Sequence, residues 1–175
     1  MTLEDFDEGY RGVLRSTVVA CREALPVLAE NGSAVTNLVA ASALEPSASG
    51  VLGNVFRLGI YGLSKVLAEE YGDEGVRVNC VAPRGIISDR IEQKIAALAE
   101  GKGIDEADAR QKRIDELPLN DLGTPDEFAR MVTYVSSPAA GYLTGAVSLS
   151  TVAGTDTRSN HHFEDERSSI RSTIS

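Results

Sequence analysis

From Leu3 to Glu30, large or apolar residues return every three or four positions, at Leu3, Phe6, Tyr10, Val13, Leu14, Thr17, Val18, Cys21, Leu25 and Leu28. That spacing predicts one long amphipathic helix, stopped by Asn31-Gly32. The run Ala34 to Ala41 is then apolar enough for a short strand buried on both faces, as in a parallel sheet. Ser42 to Gly50, with Pro46, reads as a loop. A second helix is predicted from about Val51 to Tyr71. Val76 to Val81 reads as a strand, broken by Pro83-Arg84-Gly85.

A charge-rich helical stretch follows from Asp89 to roughly Glu116, interrupted at Gly101-Lys102-Gly103. Thr124-Pro125-Asp126-Glu127 is a strong helix start. The Thr can accept the orphan amides, Pro suits the first turn, and Glu127 can close a capping box. That helix should end near Ser137-Pro138, and Ala146 to Thr151 reads as a last strand. Strands alternating with helices predict an α/β domain with a parallel sheet of about three strands flanked by helices. The ordered domain is expected to span residues 1–154. Residues 155–175 hold few large apolar side chains and read as a polar, disordered tail.

Charge and composition narrow the function. A formal charge of −9 over 175 residues, with no Lys/Arg cluster in the sequence to offset it, argues against nucleic acid and anionic membrane. By sequence no apolar run is expected to span a membrane, and the acidic start is unlike a signal peptide, so a cytoplasmic location is expected. Cys21 and Cys80 lie far apart in apolar stretches and read as buried free thiols. His161-His162 in the polar tail has no third ligand at fixed spacing, so no metal site is expected. Asp89, Glu92, Asp105 and Asp108 read as a wet helical face. Ser42 has no histidine near it in sequence, so a nucleophilic triad is not expected.

Two blocks carry a family resemblance. Gly75-Val76-Arg77-Val78-Asn79-Cys80-Val81-Ala82-Pro83 resembles the strand and loop after the active-site helix of short-chain dehydrogenase/reductases. Leu122 to Ala129 and Ser137 to Gly145 are similar to that family's last helix and the turn into its last strand. Leu25-Pro26 and Val35 to Ala41 fit the preceding helix and strand, so the likeness covers about residues 5 to 154. It implies the carboxyl half of a Rossmann-like, doubly wound parallel sheet. The glycine-rich turn that cradles the family's cofactor pyrophosphate has no counterpart here. The pairs Gly50/Gly53, Gly59/Gly62 and Gly101/Gly103 do not lie between a strand and a helix, so no bound cofactor is expected.

The resemblance also implies where catalytic residues would stand. Counting back from Asn79 by the family's spacing puts its tyrosine at Gly53 and its lysine at Arg57. The serine at the end of the preceding strand falls on Ala40, and the helix asparagine, counted from Leu25-Pro26, falls on Val13. None of Val13, Ala40, Gly53 or Arg57 offers a phenol or hydroxyl to a carbonyl. Tyr61 and Lys65 do spell a Tyr–Lys pair one turn apart. They lie about 80° round the helix and roughly 12 Å along it from the family site, and so should point elsewhere. Ser88 matches the family's usual Thr at the nicotinamide end.

These expectations combine into a non-catalytic subunit that assembles with a full-length relative or with itself. The helices Leu3–Glu30 and Val51–Tyr71 resemble the family's main interface pair, and the edge of the Ala34–Ala41 strand would be open. Gly53 and Gly59, each costing about 1 kcal/mol on the second helix relative to Ala, could serve close helix approach across that interface. The competing expectation is an NAD(P)-dependent oxidoreductase using Tyr61 and Lys65, with cofactor from a partner chain. A third is a decayed or incorrectly started dehydrogenase product.

Overall fold

Three parallel strands, β1 (Ser33–Leu38), β2 (Val76–Ala82) and β3 (Val147–Leu149), lie side by side in that order in the computed structural model, which describes residues 1–45 and 50–150. Register pairs Asn37 with Cys80 and Cys80 with Val147. The central strand β2 is buried throughout, apart from half-buried Arg77, and apart from Arg77 and Asn79 its residues are apolar. Arg77 spends its charge on the turn before β3. It donates to the carbonyls of Val135 (3.0 Å), Ser137 (3.0 Å) and Leu143 (3.2 Å). Asn79 donates to Leu143 (2.7 Å) and accepts from the Ala146 amide (3.1 Å). These bonds are the physical reason for an Arg-Val-Asn sequence in a buried strand: they satisfy backbone groups that the turn would otherwise leave without partners.

The expected first helix is present but not uniform. It consists of α1 (Leu3–Gly9), a wide π-helical segment (Tyr10–Arg15) and α2 (Ser16–Ala29). A capping box between Thr2 and Asp5 starts it. At the wide segment, the Ser16 hydroxyl bonds the Gly12 and Val13 carbonyls and the Thr17 hydroxyl bonds the Val13 carbonyl. Hydroxyls reaching back to carbonyls in this way compete with the regular ladder.

The first strand corrects the expectation. β1 ends at Leu38, is only half-buried, and leaves Leu38 57% exposed, so it is not covered on both faces. Val39 and Ala41 still bond the carbonyls of Val81 and Pro83 before a short 3₁₀ turn, Ala41–Ala43. Among the described residues β1 has a neighbour on one side alone.

Helix α3 (Val51–Glu70) lies across the sheet. Asn54, Ile60, Ser64 and Ala68 turn inward, and Phe56 meets Phe6 edge to face at 4.9 Å. Outward it carries Val51, Val55, Leu58 and Val66, all exposed. An 18-residue window of this helix reaches a mean hydropathy of 1.2, so by length and composition it could cross a bilayer. The expectation that no segment approaches such a span is corrected to that extent, although here one face of the helix covers the sheet. Gly59 is a second correction. A β-carbon there would stand 3.2 Å from both methyls of Leu14, so this glycine serves contact with the first helix of the same chain.

The charged stretch forms α4 (Asp89–Lys102) and α5 (Glu106–Asp115), separated by Gly103 in the left-handed conformation at φ +62°. It is not only a wet face. Ile95, Ala99 and Ala109 make a small core of their own, Glu92 pairs with Arg110 across the two helices, and Asp105 caps α5 by accepting from the Asp108 amide. Helix α6 (Pro125–Ser136) begins with the expected Thr124–Glu127 capping box. The expectations for Pro46, the tail from Thr155 onward, and His161 and His162 lie outside the described residues.

Candidate functional site

Because all three strands run parallel, the turns following β1 and β2 open at one edge of the sheet, the edge where open α/β sheets hold ligands. Four elements meet there: the π-helical segment, the end of β1, the start of α3 and the loop leading from β2 into α4.

Val13 is half-buried in the wide segment and packs on Val39, Ile60, Cys80 and Ala82. Ala40, the residue after Val39, is extended and half-buried, and leads into the 3₁₀ turn packed beneath α3. Gly53 and Arg57 follow on the first turns of α3. The Arg57 guanidinium folds back over Gly53, with Nη1 2.5 Å from where a β-carbon of residue 53 would be. Val13, Ala40 and Gly53 present no donor or acceptor side chain, and Arg57 is the sole charge the four contribute.

Tyr61 and Lys65 are one turn apart on α3. Burial pushes the Tyr61 phenol above its ordinary value and Cys80 adds to the shift. A phenol acidified by an ammonium would move the other way. Lys65 is exposed, and its Nζ stands 3.4 Å from where a β-carbon of Gly145 would be, beside the turn before β3.

The loop from Pro83 to Ser88 is clipped at both ends. Arg84 pairs with Glu45 at 2.7 Å. The Gly123 amide donates to the Gly85 carbonyl, and Ile87 donates to the Gly123 carbonyl, both at 2.9 Å. Gly85 has φ +66°, which a side chain would strain, and a β-carbon at Gly123 would meet Ile86 at 2.7 Å. Ser88 is the N-cap of α4, but its hydroxyl turns to the Ile86 carbonyl at 3.4 Å and does not cap the helix.

Two cations that the sequence pattern did not single out, Arg90 and Lys94, lie on α4, and Arg57 lies on α3. Burial and then Arg90 push Arg57 below its ordinary value. Burial, then Arg90, Arg113 and Arg57, push Lys94 the same way. Arg90 and Lys94 are interleaved with Asp89 and Glu92, so along the chain they look like ordinary solvated charge. Asp89 and Asp108 are exposed, and no cluster of three metal-ligating side chains occurs among the described residues. Ser42 is half-buried on the 3₁₀ turn.

Comparison with known proteins adds the following. Residues 1–150 match the family described as enoyl-(acyl carrier protein) reductase. Nodulation protein G of Azospirillum brasilense is 31% identical over 134 residues, which cover 76% of this chain and 50% of that protein. The 2-keto-3-deoxy-L-fuconate dehydrogenase of Xanthomonas campestris pv. campestris is 31% identical over 127 residues, covering 71% of this chain and 41% of that one. The chain therefore spans about half the length of such relatives. Among solved structures, L-sorbose reductase of Gluconobacter frateurii, complexed with NADPH and L-sorbose, superposes with a TM-score of 0.82 at 23% identity. The match covers 90% of this chain and 60% of that one. At that identity the likeness is one of fold.

Proposed function

The chain belongs to the short-chain dehydrogenase/reductase family, and from that premise we propose that it is a non-catalytic member whose work is to assemble with a complete relative or with a second copy of itself. The observation carrying this reading is the Gly53–Arg57 pair. Where the family resemblance expects a phenol, a guanidinium fills the space instead. An arginine can hold charge there, but it gives up no proton near neutral pH. Val13 and Ala40 add no polar group to compensate. The reading in which Tyr61 and Lys65 form the proton donor has the upward shift of the phenol against it.

Assembly finds its support on the outer face of α3. Val51, Val55, Leu58 and Val66 stand there at spacings of three, four and eight, with Gly62 open between the last two. Val18, Val19 and Val27 are exposed on α2. A stripe of this kind on a helix is the pattern of a helix–helix interface.

Sedimentation equilibrium of the full chain, alone and mixed with a complete relative from the same organism, tests the proposal. Concentration-dependent self-association or a mixed oligomer is expected, lost in Val55→Asp with the circular dichroism unchanged. A monodisperse monomer at micromolar concentration under both conditions overturns it.

A further inference from the structure

The free side of β1 has no part in the α3 contact. Val39 and Ala41 donate to the carbonyls of Val81 and Pro83, on the β2 side. Successive residues of a strand direct their amides and carbonyls to opposite sides. Those of Ala34, Thr36 and Leu38 therefore face the open edge, where β1 has no neighbour among the described residues. Side chains alternate as well. Val35 packs on the cluster holding Leu25 and Ala68, and Asn37 donates to Ser64 at 2.9 Å. Ala34, Thr36 and Leu38 share the opposite face, beside α6. There the Thr36 and Ser136 hydroxyls are 2.8 Å apart, Ala34 is half-buried and Leu38 is 57% exposed.

β1 carries none of the features that keep an edge strand single, such as a lysine, a proline or an inward charge. Its residues are uncharged in a chain of formal charge −9. The nearest acids, Glu30 and Glu45, lie beyond its two ends, and Glu45 is paired with Arg84. A second copy can therefore approach this edge without setting acid against acid. The side-chain pattern is also complementary to itself. In an antiparallel pair with Thr36 on the two-fold axis, Thr36 stands opposite its own copy and Leu38 stands opposite Ala34. The polar side chain then meets a hydroxyl, and the large exposed one covers the small one.

We propose that the open edge of β1 joins two copies of this chain, paired antiparallel about Thr36 into one continuous sheet. The two Thr36 residues exchange backbone bonds on the axis, and Ala34 and Leu38 do so on either side of it. This contact rests on the assembly reading and adds a second surface to it. Backbone bonds along one short strand are a small interface. The edge therefore joins pairs already held through α3, and the two kinds of two-fold contact close the assembly.

The test uses the full chain, with single cysteines and amide exchange. Cα atoms of a hydrogen-bonded antiparallel pair stand about 5.5 Å apart, within disulfide reach. The two copies of residue 38 would lie about 13 Å apart along the strands. Thr36→Cys should therefore cross-link to its own copy under air oxidation at least tenfold faster than Leu38→Cys, although Leu38 is the more exposed. Cys21 and Cys80 are buried, and the wild-type chain sets the background. In that wild-type chain, exchange at Ala34, Thr36 and Leu38 should slow at least tenfold as concentration rises, with Val35 and Asn37 unchanged. Thr36→Lys sets two like charges on the axis and should halt assembly at the pair formed on α3, with the circular dichroism unchanged. Equal cross-linking of the two cysteine variants, or unchanged exchange in an associated wild-type chain, overturns the proposal and leaves the assembly reading standing. A chain that stays monomeric alone also overturns it, and one that ignores a complete relative as well overturns the assembly reading.

Discussion

Arg57 occupies the space that Gly53 leaves open: a β-carbon at residue 53 would stand 2.5 Å from the guanidinium Nη1. The contact is with the far end of a flexible side chain, and Gly53 sits inside a regular helix. Gly53→Ala should therefore displace Arg57 cheaply while removing the entropic cost of a helical glycine. An increase of about 0.5–1 kcal/mol in unfolding free energy is expected, read from the urea midpoint.

Gly59 should behave in the opposite way, because its neighbours are the two methyls of Leu14 on the facing helix of the same chain. Gly59→Leu would force those helices apart, at a cost of about 1–3 kcal/mol of the chain's own stability. Denaturant unfolding at fixed protein concentration should register the loss. A change confined to the association constant would instead mean that Gly59 faces a partner.

Asn79 and Arg77 together close the turn from α6 to β3. Asn79→Ala leaves a buried amide and carbonyl without partners, and about 2–3 kcal/mol should be lost. Arg77→Met strips three carbonyls of a charged donor and should cost about the same or more. Hydrogen exchange is expected to rise first at Leu143 to Ala146, ahead of global unfolding.

The buried thiols make stability fall with alkali. Cys21 and Cys80 are both raised, chiefly by burial, with hydrogen bonds to Asn37 and Ser64 respectively acting in the other direction. A raised folded value means that the native state holds its protons while the unfolded chain releases them. The stabilisation is thus complete below the unfolded thiol value of about 8.5 and is lost as pH rises above it. Unfolding free energy between neutral pH and pH about 10 should decline, and less steeply in Cys21→Ala/Cys80→Ala. Tyr61 is shifted upward too and should add to the decline at the alkaline end.

Much of the architecture could be read from the chain because it depends on local rules. The Thr124–Glu127 box, the stop at Asn31-Gly32, the break at Gly103 and the strand at β2 each follow from nearest neighbours and periodicity. The positions Val13, Ala40, Gly53 and Arg57 come from counting by the family's spacing, since helices and strands convert sequence separation into fixed rise and rotation. Which faces were covered was not accessible. β1 reads as apolar as a fully buried strand, yet with one neighbouring strand it is half open, because burial depends on what lies across the sheet. The apolar face of α3 likewise does not reveal that Gly59 meets Leu14 while Gly62 meets nothing.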